Sequence, residues 1–88
     1  MAIITDVVSD RNYTYRAQYC RPDSVIAKNK TTLTVAVGVY ETAQRAESGE
    51  PPHMLYYIDG GFDMYSDQNL WQQAYAAMKQ KWPDSTDA

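Results

Sequence analysis

Apolar and polar side chains alternate over residues 31–42, and this alternation predicts the clearest β-strand in the chain. One face of that strand carries Leu33, Val35, Val37 and Val39. The other face is small and flat until it reaches Tyr40. A helix is the competing interpretation. The segment is rich in β-branched residues, however, and these lose side-chain freedom in helices and pack well on sheets.

Two shorter segments before it predict an N-terminal hairpin. Residues 2–8 are β-branched, and residues 13–21 alternate, with Tyr13, Tyr15, Ala17 and Tyr19 on one side. The intervening Ser-Asp-Arg-Asn at 9–12 is typical of turns, because short polar side chains bond their own backbone. Residues 22–30 are then expected to be a connection between strands.

The middle of the chain predicts a loop and one more hairpin. Residues 43–52 are polar and Pro-rich at their end, with one helical turn expected at 43–47. Residues 53–59 indicate a strand, and Asp59-Gly60-Gly61 favours a tight turn because glycine adopts positive φ freely. A short return strand at 62–65 would follow.

Apolar residues at steps of three and four predict a C-terminal helix. Its stripe consists of Trp71, Ala74, Tyr75, Met78 and Trp82. Ser66 or Asp67 is the expected N-cap, and Pro83 should end the helix because it lacks an N–H. The wet side is expected to carry Gln68, Gln72, Gln73, Lys79 and Gln80. A core position for Trp71 would make Trp71→Ala cost roughly 3–5 kcal/mol.

These elements predict an α+β fold, in which an antiparallel sheet of four to five strands carries one C-terminal helix packed on one face. Residues 1–83 are expected to form a single domain, and residues 84–88 a frayed C-terminal tail. A chain of 88 residues is too short for a two-domain enzyme, a (β/α)₈ barrel or a complete dinucleotide-binding fold.

Charge and cysteine content narrow the classes of function. The net charge of −3, with scattered basic residues, argues against binding to a nucleic-acid backbone. No long apolar run predicts a membrane span, and the first residues lack the pattern of a signal peptide. We therefore expect synthesis in the cytoplasm, with the single cysteine, Cys20, reduced.

The aromatic residues point to a binding surface. The chain has 8 Tyr against 1 Phe, and one helix covers only one face of a sheet. Tyrosine is enriched at interfaces because it offers a rigid contact area with a hydroxyl that tolerates water. The expected function is therefore a non-enzymatic protein–protein interaction module that docks a sheet face or edge onto another chain, either a copy of itself in a homo-oligomer or a larger partner. The predicted contact residues are Tyr13, Tyr15, Tyr40, Leu55 and Tyr57.

Two other classes of function stay open. A small enzyme or ligand-binding subunit would use His53 as a general base with Asp59 or Asp63. An acidic mimic of nucleic acid would cluster Asp6, Asp10, Glu41 and Glu47 on one face. The spacing of Asp59, Asp63 and Asp67 fails the EF-hand pattern, because Leu70 occupies the closing position. Neither a metal nor a cofactor is expected.

The chain as a whole resembles small proteins encoded by bacteriophages and prophages. The segments that carry this resemblance are Tyr56-Tyr57-Ile58-Asp59-Gly60-Gly61 and Asn69-Leu70-Trp71-Gln72-Gln73-Ala74-Tyr75. It implies either a virion or assembly subunit or an inhibitor of a host protein, and a location in the virion as an alternative to the cytoplasm.

Overall fold

A computed structural model describes residues 2–88 and shows five strands and two helices. The elements are β1 (Ile3–Val8), β2 (Thr14–Ala27), β3 (Thr32–Tyr40), α1 (Ala43–Glu47), β4 (Met54–Gly61), α2 (Leu70–Lys81) and β5 (Thr86–Asp87). The strands form one antiparallel sheet in the order β4-β3-β2-β1-β5. The predicted α+β fold, with a C-terminal helix on one sheet face, is confirmed.

The hydrophobic core lies between α2 and one face of this sheet. The apolar row of β3 is completely buried there, together with Met78 and Ala74 of α2. Cross-strand partners share a face, so the register assigns neighbours to this side: Val35 pairs with Ile58, and Val39 with both Cys20 and Met54. The rest of the buried cluster consists of Ile3, Val7 and Ala77. The opposite face of the sheet is left to α1 and to solvent.

Strand β2 is longer than predicted, because residues 22–27 continue the strand instead of forming a connection. Asp23 is an extra residue in the ladder: Pro22 pairs with Val37 and Ser24 with Ala36. A bulge of this kind bends a strand without ending it. Pro22 also lies beyond the paired residues of β1, so its missing N–H removes no hydrogen bond from that ladder.

A second bulge bends the N-terminal hairpin at Ala17. Thr5 pairs with Gln18 and Val7 with Tyr15, so β2 has one residue more than β1 between these pairs. Ala17 adopts φ 50°, and its N–H donates to Asp6 Oδ1 at 2.8 Å. An L-residue in this left-handed region costs about 1–2 kcal/mol. The backbone at Ala17 is therefore strained, and glycine at this position would relieve the strain.

We expect Ala17→Gly to raise the free energy of unfolding by about 0.5–1 kcal/mol, because glycine adopts positive φ at no steric cost. Urea unfolding followed by circular dichroism measures the change. Ala27→Gly is the matched control at an exposed β2 position, where glycine should lower stability by about 0.5–1 kcal/mol. Equal losses in both variants would show that Ala17 is not strained.

Strand β4 runs through Asp59 to Gly61, so the predicted tight turn and return strand at 62–65 are absent from the described residues. Gly60 is needed there for close packing rather than for a turn. A Cβ at Gly60 would lie 2.5 Å from Ala77 Cβ, whereas a Cβ at Gly61 would meet nothing within 4 Å. The sheet and α2 thus approach each other closely over Gly60.

Helix α2 begins later than predicted, with Asn69 as its N-cap instead of Ser66 or Asp67. Asn69 Oδ1 accepts from Gln72 N at 2.8 Å, and Gln72 Oε1 accepts from Asn69 N at 2.8 Å, which completes a capping box. Pro83 follows the C-cap Trp82, as predicted. The reciprocal amide–backbone pair explains why the helix starts at Leu70.

The buried stripe of α2 also differs at two positions. Trp71 is 47% exposed, so it is not the core residue that the periodicity predicts. Gln73 is buried instead of solvated, because its amide bonds the backbone of Asp63 and Gln68 in the preceding loop. The buried positions of α2 are therefore Gln73, Ala74, Ala77 and Met78, which differ in part from the stripe that hydrophobicity alone predicts.

The segment for which a frayed C-terminal tail is predicted contains the short strand β5. Thr86 and Asp87 form β5, which pairs with Ile4 and Ile3 of β1. Asp87 Oδ1 accepts a hydrogen bond from Tyr75 Oη at 2.6 Å and forms an ion pair with Lys79 Nζ at 2.9 Å. Side chains of α2 therefore hold the tail against the sheet.

Candidate functional site

The five predicted contact residues fall into two classes of exposure. Tyr57 is 66% exposed, Tyr13 62% and Leu55 44%, whereas Tyr15 is half-buried. Tyr40 is only 3% exposed, so its ring serves packing and offers no contact surface, contrary to the prediction. The structure thus leaves Tyr57, Tyr13 and Leu55 available to a partner.

Tyr40 is buried because other side chains on the outer face of the sheet, those of Arg21 and Asp23, pack against it. The Arg21 guanidinium lies 4.9 Å from the centre of its ring, and the Tyr40 hydroxyl donates to Asp23 Oδ1 at 3.3 Å. Gly38 makes room below, since a Cβ there would come within 3.0 Å of the Tyr40 ring. Arg21 Nη2 also donates to the Ala46 carbonyl at 3.4 Å, which connects helix α1 to this cluster. Sequence periodicity alone gives no sign of this cluster.

Tyr13 and Tyr15 lie on a different side of the sheet from Leu55 and Tyr57. Tyr15 pairs with the core residue Val7, so register places it on the face that carries α2. Its ring contacts Tyr13 at 4.7 Å and His53 at 5.0 Å between ring centres. The hairpin, bent at Ala17, thereby reaches across the end of β3 to the start of β4.

A shallow depression of about 380 Å³ forms where the hairpin meets β4. Val8, Ser9 and Asp10 line one side of it, and residues 54–57 line the other. Val8 is 50% exposed and is not predicted as a contact residue, because the sequence pattern marks it only as the last residue of a strand.

Strand β4 presents free backbone groups at the edge of the sheet. The Phe62 N–H donates to the Thr31 carbonyl, and the alternation of an antiparallel ladder then directs the backbone of residues 54, 56, 58 and 60 toward β3. Leu55, Tyr57 and Asp59 direct their N–H and C=O groups outward, where they have no backbone partner within residues 2–88. We call Val8, Leu55, Tyr57 and these outward groups the β4 edge surface.

The two edges of the sheet differ in how well they are protected. Residues 54–58 (Met-Leu-Tyr-Tyr-Ile) contain no charge and no proline. The opposite edge is the two-residue β5, which carries the ion pair of Asp87 with Lys79. Short length and charge are the devices that prevent pairing between exposed edges. β5 covers only Ile3 and Ile4 of β1, and β1 covers only residues 14–20 of β2, but β4 has the longest uncharged run that an incoming strand could pair with.

The electrostatics near α2 stabilise β5 without creating a reactive group. The hydrogen bond from Tyr75, together with Lys79, lowers the pKa of Asp87. Partial burial and the bond to Asp87 raise the pKa of Tyr75 to about 12. Burial raises the pKa of the Cys20 thiol to about 12, so the nucleophilic thiolate is disfavoured at neutral pH.

The residues proposed for an enzyme are not brought together. His53 precedes β4 and Asp59 lies six residues further along it, a distance of about 20 Å in an extended strand. His53 Nε2 lies 2.6 Å from Gln18 Oε1, while Asp59 accepts from Thr34 Oγ1 at 2.7 Å. Asp63 Oδ1 accepts from Tyr65 N within its own loop. Each of the three residues therefore has a local structural role.

The acidic residues of the mimic hypothesis also have local partners. Asp6 accepts from the Ala17 N–H, and Glu41 lies 3.5 Å from Arg45. Among residues 2–88, no group of three or more His, Cys, Asp and Glu side chains could hold a metal ion. Neither helix in that range has the length and apolar character needed to cross a membrane.

Comparison with models of protein families, with curated proteins and with solved structures gives no match to this chain. The basis for assigning a function is therefore the β4 edge surface.

Proposed function

We propose that this chain is a non-enzymatic protein–protein interaction module that binds another protein chain along β4. The observation that carries the proposal is the exposure of an uncharged edge strand: Leu55 is 44% and Tyr57 66% exposed, and both direct free backbone groups outward. An extended partner segment gains main-chain hydrogen bonds at such an edge, and alternate side chains provide specificity.

Tyr57 is the central contact of the proposed surface. Its ring offers a large rigid area, and its hydroxyl keeps a water or partner bond at the rim. Leu55 lies on the same strand face two residues away, and Val8 faces both across the depression. Tyr13 is exposed but lies on the other side of the sheet, so it is outside the β4 edge surface. Tyr40 acts indirectly, by keeping the outer face of β3 rigid.

The resemblance to phage-encoded proteins agrees with this proposal in one respect. An assembly subunit and an inhibitor of a host protein both act by docking onto another protein, and neither needs catalytic residues. The open β4 edge would serve either role.

Site-specific photo-crosslinking in the cell that expresses the chain tests the proposal. A photoreactive phenylalanine analogue at position 57 should form a covalent adduct with another protein chain, identified by mass spectrometry. The matched control is the same analogue at Tyr65, which is 89% exposed in the loop before α2 and lies outside the β4 edge surface. An absence of protein adducts at position 57, or equal adducts at position 65, would contradict the proposal.

A further inference from the structure

The segment that forms the open edge is complementary to itself. Residues 54–58 are all apolar, and polar His53 and Asp59 flank them symmetrically about Tyr56. Two copies of β4 running antiparallel can therefore pair with every apolar residue opposite an apolar residue. This property belongs to one register and is lost when the strands slide.

In that register Tyr56 lies opposite its own copy. Leu55 then faces Tyr57 of the second copy, and Met54 faces Ile58. Because Leu55 and Tyr57 both direct their backbones outward, each Leu55–Tyr57 pair exchanges two N–H···O=C bonds. The ends of the segment meet as His53 against Asp59, so no like charges are opposed.

The neighbouring registers are less favourable. Centring the pair on Tyr57 sets Leu55 opposite the carboxylate of Asp59. Centring it on Leu55 sets the outward-directed backbone of Asp59 opposite Pro51, which cannot donate to a ladder. The register centred on Tyr56 is therefore selected by the chemistry of its own residues.

From these observations we infer that the partner of the β4 edge surface is a second copy of this chain, bound by antiparallel β4–β4 pairing centred on Tyr56. This inference rests on the proposed function and specifies its partner. The two sheets join into one continuous sheet across a twofold axis. The assembly closes as a dimer, because an isologous contact uses the same edge in both copies and the β5 edge is short and charged.

Cysteine cross-linking of a mixture tests the register directly. Leu55→Cys and Tyr57→Cys are prepared separately and then mixed under mild oxidation. In the inferred register the mixed pair has Cα atoms about 5.5 Å apart, within the range that a disulfide spans. The two copies of position 55, and likewise the two copies of position 57, lie diagonally across the pair with their Cα atoms about 7–8 Å apart, which is unfavourable for a disulfide. The native Cys20 is fully buried and does not compete.

We expect the mixture to form covalent dimer several-fold faster than either variant alone, because only the mixed pair lies within the Cα separation that a disulfide spans. Equal rates in the mixture and in the single variants would overturn the register. An absence of cross-linked dimer in the mixture would overturn β4–β4 pairing altogether. Circular dichroism of each variant confirms folding, since both positions are exposed.

Sedimentation velocity of unmodified chain supplies a second measurement. The wild type should sediment as a dimer, and Tyr57→Lys should shift it to a monomer, because lysine on an edge strand opposes strand pairing. Ile26→Lys is the matched control, since Ile26 is 64% exposed on β2 and away from the β4 edge. A monomeric wild type, or equal dissociation by both variants, would contradict the inference.

The interaction function and self-association can fail separately. Photo-adducts at position 57 that contain a different protein and never a second copy would preserve the interaction function and overturn self-association. Adducts of twice the chain mass support both.

Discussion

Met78→Ala is expected to lower the free energy of unfolding by about 2–5 kcal/mol, as truncation of a fully buried methionine does in other cores. Met78 is fully buried between α2 and the sheet, in the same cluster as Val35 and Val37 of β3. Truncation removes its transfer free energy and leaves a cavity that the sheet cannot fill without distorting its ladder. Urea unfolding monitored by tryptophan fluorescence measures the loss.

Trp71→Ala is the matched comparison on the same helix. The side chain is larger than that of methionine but 47% exposed, so its loss should cost about 1 kcal/mol, below the usual range for a buried tryptophan. Circular dichroism is the better probe for this variant, because the substitution removes one of two tryptophans. If Trp71→Ala lowered the free energy of unfolding more than Met78→Ala, Trp71 would be a core residue, as the periodicity predicts.

Gly60→Ala is expected to destabilise the fold by about 1–3 kcal/mol, the usual cost of overpacking. The added Cβ would lie 2.5 Å from Ala77 Cβ, a separation that only movement of α2 or β4 relieves. Chemical denaturation again measures the change. Gly61→Ala is the control one residue away: its Cβ meets nothing within 4 Å, so its stability should equal or slightly exceed that of the wild type.

A second substitution at Ala77 tests whether Gly60→Ala destabilises the fold by a steric clash with Ala77 or because β4 tolerates alanine poorly at this position. Ala77→Gly alone should cost about 1 kcal/mol through its effect on helix propensity. Combined with Gly60→Ala, it should recover part of the lost stability, and a double-mutant cycle should give a favourable coupling energy of about 0.5–3 kcal/mol. Purely additive losses would show that the two positions do not touch.

The same close approach bears on the proposed function. Gly60 brings α2 onto the inner face of β4, where Trp82 packs on Tyr56 at 5.4 Å between ring centres. Tyr56 and Ile58 are thereby anchored in the domain, while Leu55 and Tyr57 are left outside. A rigid strand loses less conformational entropy when a partner pairs with it. Helix α2 thus holds β4 in place through its inner face and leaves the outward residues Leu55 and Tyr57 free to bind.

The exposure of the predicted contact residues depends on register and on bending of the strands. Leu55 and Tyr57 are exposed as predicted, because strict alternation separates them from the buried Ile58. Tyr40 belongs to the same face but is buried, since Arg21, which lies over its ring, comes from a distant part of the chain. Tyr13 and Tyr15 lie on the other face because the bulge at Ala17 changes the alternation of β2.

Local pattern alone determined the type of most elements and the fold class. Leu33, Val35, Val37 and Val39 form the core-facing row of β3, as their alternation predicts, and Pro83 follows the C-cap of the helix. These outcomes depend on side-chain periodicity and on the missing N–H of proline, both of which are properties of a short segment.

Only the tertiary structure decided where strands bend and which edge remains open. The bulge at Asp23 forms because its neighbours in β2 pair with Val37 and Ala36 of β3. The bulge at Ala17 forms where its N–H donates to Asp6. Thr86 and Asp87 form an edge strand, and Tyr75 of α2 donates a hydrogen bond to Asp87. Hydrogen bonds between segments far apart in the chain have no local signature. The unprotected edge of β4 arises in the same way, from a strand order that places no neighbour beside Leu55 and Tyr57.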